Sequence, residues 1–406
     1  MIAKIAWRNV WRSRTRSLVV IGAVVIGIWA LTFLLGFVRG LVNSYITKGI
    51  ENETSHVQFH HPDYNDDKSI KYFMANSNEI MEALGKDPKV KDASSRILLN
   101  GMLSSSKTKQ GLILKGIDED KERKISRLDL KLKEGSFFET KTKNPILISA
   151  DIAERMNVKL RSKLVFTFQD INGEISSAAF RVVGIYSLGN MKLDQFYGFA
   201  RKEDLQRLSG MTDGAAHEIA VILNDFENSV DDYPASMQAK FPTALIQNYK
   251  ELSPDLELFN SQIQLNLIIM TTIVMLALIF GIINTMLMAV LERLKELGML
   301  MAIGLNKTKI FFMIVYETFF VTIVGAPIGL LLGYLTVNYL NRTGIDLSAW
   351  SKGLSVVGMT DLVRPFLPWD AYLSIAFAIA LTALLASIYP ARKAIKLKPV
   401  EAMRKI

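Results

Sequence analysis

The sequence from Ser261 to Gly304 reads SQIQLNLIIMTTIVMLALIFGIINTMLMAVL and then ERLKELGMLMAIG. The first part, Ser261–Leu291, contains no charged residue. It exceeds the ~20 apolar residues that cross the hydrocarbon core of a bilayer as a helix. The second part, Glu292–Gly304, turns abruptly polar. Its Glu, Arg, Leu, Lys and Met residues are strong helix formers, and no β-branched residue occurs before Ile303. Leu294, Leu297 and Met301 recur at helical spacing and mark an apolar face. Glu292 and Lys295, three apart, are spaced to pair on one face. Gly304 stands where a helix stops, and Asn306 where the next one is capped. The reading is a membrane span followed by a short charged helix.

Three further apolar runs lie outward from this stretch. Leu18–Val38 and Ala371–Pro390 are uncharged, and Ile310–Leu340 carries only Glu317. The charges that remain cluster beside them. Residues 1–17 hold Lys4, Arg8, Arg12, Arg14 and Arg16 without an acid, and residues 391–406 hold six basic residues against Glu401. Basic flanks mark the cytoplasmic side of a span. They place the N-terminus (residues 1–17), the 292–309 loop and the C-terminal tail (residues 391–406) inside the cell. Four spans at 18–38, 261–291, 310–340 and 371–390 then leave residues 39–260 and the 341–370 loop outside. The predicted fold class is a membrane protein with four transmembrane α-helices, one N-terminal and three C-terminal. A large α+β extracytoplasmic domain separates the first from the second.

Composition agrees with this division. Half of the residues are hydrophobic, and the mean hydropathy of +0.22 suits a few spans plus one soluble insert. The net charge of +9 sits in the flanks, so it speaks for membrane orientation and anionic lipid, not for nucleic acid. Cysteine is absent, which excludes a disulfide frame, thiolate metal ligands and a cysteine nucleophile.

Residues 2–16 form an amphipathic pattern. Lys4, Arg8, Arg12 and Arg16 recur every four residues, opposite Ile2, Ala3, Ala6 and Val10, with Trp7 and Trp11 suited to a membrane interface. In the outer segment, Ser55–His61, Ile97–Leu103, Gly111–Ile117, Pro145–Ile148, Lys163–Gln169, Ala178–Tyr186 and His217–Leu223 read as strands. Asn78–Leu84, Ala150–Met156, Lys202–Leu208 and Asp231–Phe241 read as helices. Asn172-Gly173 marks a hairpin turn.

Residues with chemistry are few. There is no Gly-x-x-x-x-Gly-Lys-Ser/Thr loop, so any ATP is hydrolysed on another chain. No catalytic constellation stands out, and the chain is not read as an enzyme. His56 and His60 would share one face of a strand, as metal ligands can. With no carboxylate pattern beside them, His56, His60, His61 and His217 read better as surface residues near a strand end, and no metal site is assigned. Glu317 is an ionisable group inside a span, a functional candidate by default. Its preferred reading is structural, as a partner for the first or second span or for the short helix. Asn284 in the second span is expected to hydrogen-bond to another helix. Gly325, Pro327, Gly329 and Gly333 permit close packing and a bend in the third span. The tail residues Arg392, Lys393, Lys396 and Lys398 fit lipid binding or a protein contact equally.

The pattern of Glu292, Arg293, Glu296, Gly298, Ala302 and Gly304 resembles the coupling helix of ABC-transporter permeases of the MacB/lipoprotein-release superfamily, whose motif runs ER-x-x-E-x-G-x-L-x-A-x-G. Met301 stands where many members have a basic residue. LKEGSFF, NPILISADIAERMNV and FRVVGIY follow one another as in that superfamily's periplasmic core domain. Arg161-Ser162 here replaces the usual Gly-Asp pair. GIENETSHVQFHHPDY and YKELSPDLELFN resemble the stalk segments of the lipoprotein-release branch, and YPARKAIKLKPVEAMR resembles the family ending. The resemblance implies an inner-membrane subunit without a cofactor of its own, ATP and Mg being held by a partner ATPase that docks on the coupling helix. It implies pairing with a second copy or a sister permease, and a lipoprotein or other amphiphile as cargo. It further implies that the cargo's acyl chains lie between the first and second spans near the outer leaflet. Alternatives are a MacB-like exporter of drugs, peptides or lipids, and a membrane scaffold or signal transmitter that activates an external enzyme.

Overall fold

A computed structural model describes residues 2–12, 14–138, 141–356, 358–359 and 361–396. The chain divides into two compact units. One holds Met1–Val42, Asn260–Asp346 and Leu362–Ile406, and the other Asn43–Phe259 with Leu347–Asp361. The last range is a finding beyond sequence reading: half of the 341–370 loop between the third and fourth spans belongs to the outer unit. Lys398 and the family-like ending beyond Lys396 lie outside the described residues.

In the first unit an amphipathic helix, Ile2–Arg12, precedes four long helices, Arg14–Gly49, Pro254–Glu292, Lys307–Thr343 and Trp369–Ile395. All four are long and apolar enough to cross a membrane. Each runs past the apolar stretch that announces it. Polar helix formers extend the ends, and Pro254, Asp255 and Glu257 suit the first turn of the second helix. Pro327 lies inside an unbroken third helix. Gly325, Gly329 and Gly333, one turn apart, let it approach the first. A Cβ at Gly329 would stand 2.9 Å from the Val25 carbonyl oxygen, and one at Gly333 2.6 Å from Thr32 Cγ2. Val24, Ile28, Leu31, Met275, Ile282 and Ile375 build the core of this bundle. The second helix is the least covered, its apolar window 11% buried against 33–44% for the other three. Asn284 lies on its exposed side and has no hydrogen-bond partner among the described residues. Among the described residues the expected interhelical bond is not made, Asn284 being exposed on its helix.

The outer unit is α+β. Its strands are β1 (Val57–His60), β2 (Val90–Ser104), β3 (Lys109–Ile117), β4 (Leu132–Gly135), β5 (Pro145–Ser149), β6 (Lys163–Gln169), β7 (Ile175–Tyr186), β8 (Tyr197–Arg201), β9 (Glu218–Leu223) and β10 (Leu245–Asn248). The sheet order is β10-β1-β9-β2-β3-β8-β5-β7-β4, and β6 joins β2 to β7. The pairings β2–β3–β8–β5–β7–β6–β2 thus close a ring of six strands. The long β2 belongs to both parts. Val90–Arg96 pairs with β9, and Ile97–Ser104 with β3. Phe166, Phe180, Ile146, Leu114 and Leu164 fill the ring. Phe59, Val57, Ile219, Val221, Tyr233 and Ile80 form a second core under β1 and β9. The β6–β7 hairpin turns at Gly173, whose φ is +84°. Arg161 takes φ +67° before β6, so this turn is made without glycine, held by Arg161 N–H donating to the Val182 carbonyl at 2.8 Å. The helix expected over Asp231–Phe241 is present but shorter, Tyr233–Gln238, with Pro234 in its first turn, and a separate helical turn, Phe226–Ser229, precedes it.

Candidate functional site

The helix predicted over Glu292–Gly304 is shorter than its sequence signature. Glu292 closes the second long helix, Arg293 turns the chain at φ −104° and ψ 19°, and the short helix runs Leu294–Ala302. Gly304, at φ +96°, then allows the N–H groups of Gly304 and Leu305 to bond back to Met301 and Leu300. Asn306 Oδ1 accepts from Thr308 N–H at 3.0 Å and starts the third long helix. The short helix is clamped by its apolar side. Leu297 is buried with Ala6, Val290, Ile310, Ile314 and Ala391, so the amphipathic helix and three of the long helices meet around it. Gly298 is also buried.

A polar cluster pins the same corner. Arg293 donates to Glu317 Oε1 at 3.1 Å and to Glu296 Oε2 at 3.2 Å. Asn9 Nδ2 donates to Glu317 Oε1 at 2.6 Å. Arg12 reaches Glu296 at 2.8 Å. The amphipathic helix, the turn, the short helix and the third long helix are thus held together by one chain of charges. The side chains of Arg293 and Glu317 are 18% and 10% exposed, and Glu296 is 42% exposed. The contact to Glu317 is the partly desolvated one, and charge-assisted bonds are strongest there.

What faces outward differs from the motif. Glu292, Lys295, Met299, Ala302, Ile303 and Gly304 are exposed, with Met299 57% and Ile303 78% accessible. Glu296 and Gly298 instead serve the internal contacts. Glu317 belongs to this corner, while Asn284 does not. The roles of Asn9 and Arg12 were missed by sequence reasoning, although Arg12 lies on the basic stripe. Met299 and Ile303 carry no sequence signal beyond being apolar in a charged stretch.

The outer unit buries a second polar cluster. Arg96 pairs with Glu122 at 2.7 Å and Glu218 at 2.5 Å, all three at most 5% exposed. Burial opposes the charge on Arg96, but the two carboxylates outweigh it and raise its pKa. Burial likewise pushes Glu218 up, and Arg96 and Lys115 reverse that, leaving it below the usual range. Two of the four histidines, His60 and His217, are buried and not the surface residues that the sequence suggested, while His61 is partly exposed just past the end of β1. His217 is fully buried, its Nδ1 accepting from Leu98 N–H at 3.1 Å and its Nε2 donating to the Ile70 carbonyl at 3.0 Å. His60 is buried beside Gln58 and the His217 carbonyl. The interior position of β9 and β1 in the sheet accounts for both. Burial depresses the pKa of His56 and of His217 to about 4. Among the described residues, no group of three or more His, Asp or Glu side chains is placed to hold a metal ion.

Residues 17–231 match the MacB-like periplasmic core domain family, and residues 268–399 match the FtsX-like permease C-terminal family. The chain belongs to the MacB-like family of ABC-transporter permeases. The permease is similar to the lipoprotein-releasing system transmembrane protein LolE of Haemophilus influenzae, with 21% identity across 80% of each chain. Its similarity to LolC of Neisseria meningitidis is 24% over 96% of this chain and 94% of that one. An uncharacterized ABC transporter permease of Methanocaldococcus jannaschii is 32% identical over 124 residues, 30% of this chain and 28% of the relative.

Proposed function

We propose that this permease couples ATP hydrolysis on a separate ATPase subunit to movement of its outer domain, and that the movement releases lipoproteins from an inner membrane. The short helix Leu294–Ala302 is the docking element, and Met299 and Ile303 are the residues the ATPase presses on. The observation that carries this reading is the corner itself. Two apolar side chains face outward on a helix whose other side is clamped by Leu297 and by the Arg293–Glu317 contact. A push on the exposed face then reaches the third helix through Glu317, and the second through Glu292. The second helix is unbroken from Glu292 back to Pro254, a length suited to carrying movement outward. Two permease chains, identical or sister subunits, work with two ATPase subunits, with both termini on the cytoplasmic side. ATP and Mg are bound by the partner, and this chain contributes mechanics only.

Lipoprotein release is favoured over export by the LolE and LolC matches, which cover most of this chain. The MacB-like core domain over 17–231 supports the second reading, export of drugs, peptides or lipids. Depletion separates them: lipoproteins stranded in the inner membrane support release, and normal lipoprotein sorting with lost efflux supports export. The coupling role is tested by Met299→Glu with Ile303→Glu. Expression and membrane insertion should be unchanged, while ATPase stimulation by the permease is lost. Full stimulation in that variant contradicts the docking role. Reversal of Glu296 is a poorer test, since it also breaks the contacts to Arg12 and Arg293.

A further inference from the structure

The outer unit contains a second polar feature that the coupling mechanism does not use. Between β1, β3, β8 and β9 lies a cavity of about 120 Å³, walled by Glu53, His60, Tyr64, Lys115, Tyr197 and Glu218. Lys115 is 3% exposed and makes no hydrogen bond or ion pair with any described residue; its ammonium stands 4.1 Å from the centroid of the Tyr197 ring. The Tyr64 hydroxyl, on a side chain 4% exposed, also has no hydrogen-bond partner among the described residues. An ammonium without a protein acceptor is satisfied by whatever fills the cavity, water or a ligand. Opposite these two donors stand two carboxylates with capacity to spare. Glu218 Oε1 is taken by Arg96, and Glu53 Oε1 by the Tyr197 hydroxyl at 3.5 Å. The cavity therefore offers donors and acceptors together.

Charge narrows the class of ligand. Lys68 and Lys115 line the cavity together with Glu53 and Glu218, two charges of each sign. A simple anion or a simple cation would unbalance them. A molecule carrying both charges satisfies each end and changes the total by nothing. The volume equals that of about four liquid waters, so the ligand has only a handful of non-hydrogen atoms. We propose that this cavity is a binding site for a small zwitterion, an α-amino acid of the size of glycine or serine. Its carboxylate accepts from Lys115 and Tyr64, and its ammonium donates to Glu53 and Glu218. Glu53 lies in the π-helical turn Ile50–Thr54 that follows the first long helix, and Leu252, shortly before the second, also lines the cavity. The occupant therefore touches the segments through which the chain enters and leaves the outer unit, as befits an effector of that unit.

Titration calorimetry on the full chain in detergent, with glycine, serine, acetate and methylamine as probes, tests the site. Saturable binding of glycine or serine is expected, with acetate and methylamine weaker by about tenfold or more, since each fills one end only. Lys115→Met and Tyr64→Phe should each weaken glycine at least about tenfold. Lys115→Met replaces the buried ammonium by an apolar chain of similar length, and Tyr64→Phe is a check should the first variant fail to fold. No heat from either amino acid at millimolar concentration would mean that the cavity holds water only, and would overturn the proposal. Acetate binding as tightly as glycine, or unchanged glycine binding in the variants, would overturn it as well.

Discussion

Arg293→Met is the perturbation that probes the corner most sharply. Arg293 makes two contacts of different worth. The bond to Glu317, between side chains 18% and 10% exposed, is charge-assisted and partly desolvated. Such bonds contribute about 1.5–3 kcal/mol. The bond to Glu296, which is 42% exposed, is worth roughly 0–1 kcal/mol. Methionine keeps most of the apolar stem, so the loss is electrostatic. The short helix should then open more often by about 2–3 kcal/mol, which at 1.4 kcal/mol per decade is about 30- to 150-fold. Amide hydrogen exchange of the intact protein in nanodiscs, followed on peptides covering 294–302, reads this directly. Glu296→Gln, which disturbs the more exposed contacts to Arg12 and Arg293, should raise exchange less than about fivefold. Exchange in Arg293→Met no faster than in Glu296→Gln would refute the reasoning.

Other consequences concern packing and the outer unit. Gly329→Ala should destabilise the helix bundle by about 1–3 kcal/mol, seen as a lower melting temperature in detergent, because the new methyl would meet the Val25 carbonyl oxygen at 2.9 Å. Gly281→Ala, in the second long helix with nothing within 4 Å of the added Cβ, is the control and should not lower the melting temperature. Arg96→Met should cost the outer unit about 3–5 kcal/mol by leaving Glu122 and Glu218 buried without their cation, measurable by thermal unfolding. The pH dependence follows from His217, with His56 acting in the same sense. Its folded pKa of about 4 lies below the unfolded value near 6.5, so the unfolded chain takes up protons first as pH falls. The stabilisation is present in full above about pH 6.5 and is lost progressively toward pH 4, by ~3 kcal/mol for His217. Unfolding of the outer unit between pH 7 and 4 should show that decline, and His217→Gln should flatten it.

The membrane helices were legible because uncharged runs of that length have one stable outcome in lipid. Their ends were not, since polar helix formers prolong a helix once packing has nucleated it. The hairpin at Asn172-Gly173 and the helix after Pro145–Ile148 carried strong local signals, Gly173 at positive φ and Ser149 as a cap. Three strands had no such signal. Leu132–Gly135, Tyr197–Arg201 and Leu245–Asn248 are short, and they exist because neighbours in the sheet supply their hydrogen bonds. At the candidate site, the charged motif and Glu317 were visible separately. Their meeting through Arg293 depends on which helices pack together, a tertiary fact. The same holds for His60 and His217: polarity suggested the surface, but their strands are flanked on both sides in the sheet.

The central claim is that Met299 and Ile303 face an ATPase. The chain has no cysteine, so Ile303→Cys provides a unique thiol. A photoactivatable cross-linker on that thiol, activated in native membranes, followed by mass spectrometry of the adducts, tests the claim most directly. Leu373→Cys, on an exposed face of the fourth helix, is the control. The account predicts an adduct between the Ile303 position and an ATP-binding subunit, absent from the control. Adducts with lipid alone, or the same partners at both positions, would contradict it.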